Sequence, residues 1–159
     1  MEYKKLLGNS DPSAIVIAEA GINHDGSLET AKKMVDAAAN AKADYVKFQS
    51  FKAGKLVTPD SLTSSYIKEG SYEGESFADL LRRLELSTEG HHELADYCRE
   101  KDIKFLSTAF DRSSFDLLMD IGTDVVKIPS GDLTNIPFIR YQAQSGLPMI
   151  ISTGMAKLG

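Results

Sequence analysis

The 159-residue chain has one cysteine, no apolar run long enough to cross a bilayer, and no excess of positive charge. The lone Cys98 can form no internal disulfide, and its place in a helical pattern beside Leu94 and Tyr97 reads as packing rather than reactivity. No apolar stretch approaches the roughly 18 residues of a membrane span. Met1 to Gly8 is charged and lacks the apolar stretch that would follow in a signal peptide, so the cytoplasm is the expected location. A formal net charge of −5 argues against general nucleic-acid binding, which needs a basic face to displace counterions, but leaves room for a locally basic pocket. No Gly-x-Gly-x-x-Gly or phosphate-loop motif occurs, which weakens dinucleotide and nucleoside triphosphate readings.

What is present is a repeated grammar of short apolar runs, polar turns and helical periodicity. Ala14 to Ala20 (AIVIAEA) is rich in β-branched residues and ends at Gly21, which favours a buried strand. Ser27 can cap the following helix, where Leu28, Ala31, Met34, Val35 and Ala38 recur at helical spacing until Asn40. Further strands are predicted at Tyr45 to Gln49, Ile103 to Thr108, Val125 to Ile128 and Met149 to Thr153. Helices between the later strands would be capped by Asp111 and by Thr134 or Asn135, with Pro137 in a permitted first-turn position and Gly122 and Gly146 as stops.

Only the second unit is stretched. Ser50 to Ser87 holds Pro59, Gly70, Gly74 and many hydroxyl residues before a helix from about Ser87 to Lys101, and reads as a long loop with a short helix, placed as a substrate lid. Alternating strands and helices mean an α/β fold with a parallel sheet, either open or closed into a barrel. Five strands cannot close an eight-stranded barrel, which usually takes about 250 residues, so the barrel reading requires further units.

Each predicted strand ends in polar residues, and that edge of a parallel α/β fold is where ligands bind. Glu19 closes the first strand, Lys47 and Gln49 share one face of the second, Ser107 and Thr108 end the third, Lys127 and Ser130 follow the fourth, and Ser152 and Thr153 the fifth. A lysine in a strand buried on both sides costs several kcal/mol unless it is paired or faces a wet pocket. Two such ammonium groups among hydroxyls suit a phosphate or carboxylate anion. A purely structural reading has Glu19 neutralising Lys47 and Lys127, and a second chemical one makes a lysine a Schiff-base nucleophile. Asn23, His24, Asp25 and Gly26 have the composition of a turn, and adjacent His91 and His92 read as solvated helix residues rather than metal ligands.

The segments Ile17 to Gly26 (IAEAGINHDG), Val46 to Gln49 (VKFQ), Ser107 to Asp111 (STAFD), Lys127 to Asp132 (KIPSGD) and Ser152 to Met155 (STGM) together resemble the sialic acid synthase family. The resemblance implies that residues 1–159 are the N-terminal part of a (β/α)8 TIM barrel holding about its first five βα units, with the remaining barrel and a C-terminal antifreeze-like domain outside this chain. It implies condensation of phosphoenolpyruvate with N-acetylmannosamine or a related amino sugar, through attack by carbon 3 on a sugar aldehyde polarised by a divalent metal, Mn or Mg. By the same resemblance Glu19 is a candidate acid or base, Lys47, Thr108, Lys127, Ser130 and Ser152 are phosphoenolpyruvate ligands, Gln49 lies where both substrates meet, and Asn23 and His24 line the pocket. The family's metal-binding histidines lie in later strands, so none of this chain's residues is expected to ligate metal, and the intact protein is expected to dimerise. Ala109 stands where relatives often have Pro, and Asp132 where many have Glu. The rival expectations are a Schiff-base aldolase and a non-catalytic partial barrel whose open sheet edges pair with another chain.

Overall fold

A computed structural model describes residues 14–57 and 75–157. Its order is β1 (Ile17–Gly21), α1 (Leu28–Asn40), β2 (Tyr45–Ser50), α2 (Ala53–Leu56), α3 (Phe77–Leu84), α4 (Thr88–Glu100), β3 (Lys104–Ala109), α5 (Arg112–Ile121), β4 (Val126–Ile128), a short 3-10 turn (Ser130–Asp132), α6 (Ile136–Ala143) and β5 (Met149–Ile151). Strands β1, β2 and β3 pair in that order and β4 pairs with β5, every pair parallel, which makes this an α/β fold.

Most of the described helices begin where local chemistry supplies a cap. Ser27 Oγ accepts from Thr30 N, Ser87 Oγ from Gly90 N, Asp111 from Ser114 N, and Asn135 from Phe138 N, so each of these four helices has one orphan N–H satisfied at its start. Asn135, rather than Thr134, is therefore the cap of α6. At the other end of α5, Gly122 adopts φ 88°, a left-handed turn that lets its N–H meet the last carbonyls of the helix.

Two sequence expectations are corrected, and the short helix expected in the insertion is located. The first strand starts at Ile17, not Ala14, and Val16 is 55% exposed, so this stretch is less buried than its composition suggests. The described parts of the long insertion are structured: Ser76 caps α3, whose Leu80, Leu81 and Leu84 pack with Phe51 and Ala53 into a core of their own, joined by Ile22 and Phe110. Residues 58–74, the centre of the expected lid, and residues 1–13, which include the charged start, lie outside the described residues. His91 is also not solvated, as shown below.

Alternation along the strands separates two environments. Val46 and Phe48 face the helices, packing with Ala31, Val35, Leu94 and Cys98, and the full burial of Phe48 contributes about 1.5–3 kcal/mol. The same burial pushes the Cys98 thiol up to about 12, which keeps it protonated and inert. On the opposite face Tyr45, Leu106 and Val125 join Ile15, Ile17 and Ile150 in an apolar cluster fed by all five strands or their leads. Tyr45 closes its lower end by donating to the Asp124 carboxylate at 3.1 Å, and Lys104 pairs with Asp124 at 2.8 Å. This cluster is the floor beneath the polar strand ends. No helix among the described residues is long and apolar enough to cross a membrane.

Candidate anion-binding site at the strand ends

Two residues beyond the floor on each strand, on the same face, the side chains change character. Parallel registry sets Glu19 opposite Lys47, and Gln49 opposite Thr108. Glu19 and Lys47 form an ion pair across β1 and β2. A bulge between Glu19 and Gly21 shifts the β1 registry, and a side chain at Gly21 would meet Glu19 Oε1 at 3.3 Å and Gln49 Nε2 at 3.6 Å. The missing Cβ at Gly21, whose φ is 58°, leaves room for both polar tips at the same rim.

Lys127 sits in a different setting. Its Nζ donates to Ser152 Oγ at 2.7 Å and to the Ile128 carbonyl at 2.8 Å, tying β4 to the turn after β5. Among the described residues no carboxylate lies within ion-pair distance of it. Burial, with the positive charge of Lys47 adding to it and Glu19 opposing, pushes the Lys127 pKa below the usual lysine value. Lys47 and Lys127 are thus close enough to repel, and a shared anion would relieve both. Ser130 faces the turn after β5, where a side chain at Gly154 would meet its Oγ at 3.3 Å.

The structure therefore brings Glu19, Lys47, Gln49 and Thr108 together on one face of β1–β3, and Lys127, Ser130 and Ser152 together at β4–β5. Lys127 feels the charges of both Lys47 and Glu19, so the two groups lie within electrostatic reach of each other. Asn23 is exposed in the turn directly after β1, the strand that carries Glu19. One expected member stands apart. His24 is fully buried with its ring 6.1 Å from Phe48, on the helix-facing side of the sheet, because its Nδ1 accepts from Gly26 N and turns the imidazole inward. His24 is therefore packed against the helix-side core and not exposed to the pocket.

Asp132 is the polar residue that strand-end reasoning passed over. Its Oδ2 is buried with no hydrogen-bond partner among the described residues, and burial raises its pKa against the opposing bond to Asn135. Its signal in the sequence was its place in the turn directly after Lys127 and Ser130. Asp111, expected from the sequence as a helix cap, does more than cap: buried at the start of α5, it accepts from Lys52 N, Ser113 Oγ, Ser114 N and Ser114 Oγ, fastening the exit of β2 to that of β3. No group of three His, Cys, Asp or Glu side chains among the described residues is placed to hold a metal ion.

A parallel α/β scaffold with two lysines and several hydroxyls at its strand ends has the chemistry to hold a small anion. The NeuB family profile matches residues 34–159, and the chain belongs to that family. It is 44% identical over 149 residues to the N,N'-diacetyllegionaminic acid synthase of Legionella pneumophila, covering 94% of this chain and 42% of that protein. It is 36% identical over 150 residues to the N-acetylneuraminate-9-phosphate synthase of Drosophila melanogaster, covering 94% of this chain and 40% of that one. Among solved structures it is similar to the N-acetylneuraminic acid synthetase of Leptospira borgpetersenii in complex with citrate, at TM-score 0.76 and 34% identity, covering 90% of this chain and 45% of that one. The chain thus spans about two fifths of the length of these curated relatives.

Proposed function

We propose that this chain supplies the phosphoenolpyruvate half of a nonulosonate synthase site, in a protein that condenses phosphoenolpyruvate with N-acetylmannosamine or a related amino sugar. The names of the relatives support the product class, and the eight-stranded barrel and a homodimer belong to the same proposal. The observation that carries it is Lys127: a half-buried ammonium with a depressed pKa, held by a hydroxyl and a carbonyl and paired with no carboxylate among the described residues. An ion-pair cluster that served only the fold would neutralise both lysines, whereas Glu19 pairs with Lys47 alone.

In the proposed reaction Lys47 and Lys127, with the hydroxyls of Thr108, Ser130 and Ser152, hold the phosphate and carboxylate of phosphoenolpyruvate. Gln49 orients the substrate where the sugar aldehyde approaches. Carbon 3 bonds to the aldehyde carbon, whose oxygen takes up a proton, and water adds to the resulting cation at carbon 2 and loses a proton. The carbon 2–oxygen bond to phosphate then breaks, releasing inorganic phosphate and leaving the keto acid. Glu19, at the rim beside Lys47, is the group placed to move the proton of the attacking water.

A divalent metal, Mn or Mg, would supply Lewis acidity toward the aldehyde. The described residues do not form a site for it, so its ligands would come from outside them. The test is phosphate release from phosphoenolpyruvate, measured with manganese with and without N-acetylmannosamine, on the intact protein. Release that depends on the sugar, with a nonulosonate product, is expected. Release with no sugar present, or none with any amino sugar, would remove the reading. Robust turnover by residues 1–159 alone would refute the need for a second half.

The depressed lysine also favours a second reading, a Schiff-base aldolase. Borohydride trapping of pyruvate onto Lys127 or Lys47 would establish it instead. A non-catalytic half that pairs through its edges draws on the exposure of Val16 beside β1 and of Ile151 in β5, at 55% and 44%. A stable monomer with sharp unfolding would count against that.

A further inference from the structure

Behind Gln49 and Thr108, on the helix-facing side of the same two strands, lies a buried polar chain that the anion site does not use. Ser50 Oγ lies 2.8 Å from His91 Nε2 and 2.7 Å from Ser107 Oγ, and His91 Nδ1 lies 2.8 Å from the Ser87 carbonyl. Ser50, Ser107 and His91 are 1%, 2% and 3% exposed.

The proton positions follow from the acceptors. A carbonyl only accepts, so Nδ1 of His91 carries hydrogen and donates to Ser87. Burial, assisted by Lys52 and opposed by the Ser87 carbonyl, lowers the His91 pKa, so the ring is neutral and Nε2 is an acceptor. Ser50 then donates to Nε2, and Ser107 must donate to Ser50. Every hydrogen in the chain has one place, and the chain links the first turn of α4 to β2 and β3.

Its position matters because neighbours along a strand point to opposite faces. Ser50 follows Gln49, and Ser107 precedes Thr108, while Gln49 and Thr108 are registry partners. The helix-side chain therefore fixes the strand ends from which two rim residues project. We propose that His91 is a positioning residue for the phosphoenolpyruvate site, holding Gln49 and Thr108 in place through Ser50 and Ser107. This rests on the reading that Gln49 and Thr108 meet phosphoenolpyruvate.

Two measurements on the full chain separate the inference from that reading. In ligand-free protein with labelled threonine methyls, His91→Leu should displace and broaden the Thr108 signal. His91→Gln, whose Oε1 can accept the Ser50 proton, should restore it to near the native position. In a titration with phosphoenolpyruvate, His91→Leu should raise Kd about tenfold and His91→Gln less than about threefold. Failure of the native protein to bind phosphoenolpyruvate would remove the function while leaving the methyl result to decide the positioning role. A folded His91→Leu protein with an unmoved Thr108 signal overturns the inference. If that variant does not fold, Ser50→Ala keeps the ring in place and carries the same expectation: a Kd raised about tenfold supports it and an unchanged Kd overturns it.

Discussion

The Lys127 ammonium and the Ser152 hydroxyl are 2.7 Å apart, so the end of β4 and the turn after β5 meet through one charge-assisted hydrogen bond. The serine leaves that charge unneutralised, and the positive field of Lys47 reaches it as well. An arriving anion would find a cation already oriented and only partly solvated, which is the physical basis for strong binding at a small site.

Replacing Lys127 with Ala is therefore expected to weaken phosphoenolpyruvate binding by about ten- to a hundred-fold, the range of one hydrogen bond to a charged group, and to weaken sugar binding far less. Calorimetric titration of each substrate separately measures the contrast. Equal losses for the two substrates, or no loss for phosphoenolpyruvate, would contradict the assignment.

Phosphoenolpyruvate affinity should also fall with rising pH earlier than an ordinary lysine would dictate. The anion binds the protonated amine, so affinity is full below the depressed pKa of Lys127 in the free protein and declines as pH rises above it. Folding responds with the opposite sense: the unfolded lysine holds its proton to higher pH, so stability increases with pH between the folded and unfolded values. Thermal unfolding across this range should show that rise for the native chain and not for Lys127→Met. A flat affinity profile up to the ordinary lysine range would exclude the shift.

Gly26→Ala should destabilise the fold by about 2 kcal/mol or more, from left-handed strain combined with overpacking. Gly26 has φ 75°, and a side chain there would meet the Arg83 carbonyl oxygen at 2.0 Å, against backbone that cannot swing aside. The close backbone approach that the glycine permits sets the end of α3 against the turn after β1, beside the ion pair of Arg83 with Asp25. Urea unfolding reports the loss, and an unchanged midpoint would show that α3 is not seated there.

Asp111→Ala should cost about 0.5–2 kcal/mol at neutral pH, the usual effect of losing a helix cap, with the bond to Lys52 N lost as well. Burial alone would raise the carboxyl pKa, but bonds from Ser113, Ser114 and Lys52 outweigh it and hold the value below the ordinary range. Such a group contributes stability above its unfolded pKa and loses it as pH falls through the folded one. The variant should accordingly show a shallower loss of stability on acidification than the native protein. Identical acid titrations would place the contribution elsewhere.

Much of this was legible in the order of residues. The strand at Tyr45–Ser50, the caps at Ser27, Ser87 and Asp111, and the left-handed Gly122 follow from local rules that involve only nearby backbone. The alternation of Lys47 and Gln49 against Val46 and Phe48 identified the polar face before any contact was known. A short helix was expected in the long insertion without fixed bounds; its place at Phe77–Leu84 shows in the structure, where its amphipathic leucines pack against Phe51 and Ala53.

Sequence by itself determined the alternation of strand and helix and the polar character of the strand ends, because periodicity and capping are set within a few residues. Tertiary structure alone decided which carboxylate took which lysine and which histidine was buried. Glu19 chose Lys47 through sheet registry, Lys127 was left to Ser152, and His91 reached Ser50 across 41 residues of chain. Those pairings depend on strands and helices that are distant in sequence being brought side by side, and no local rule carries that distance.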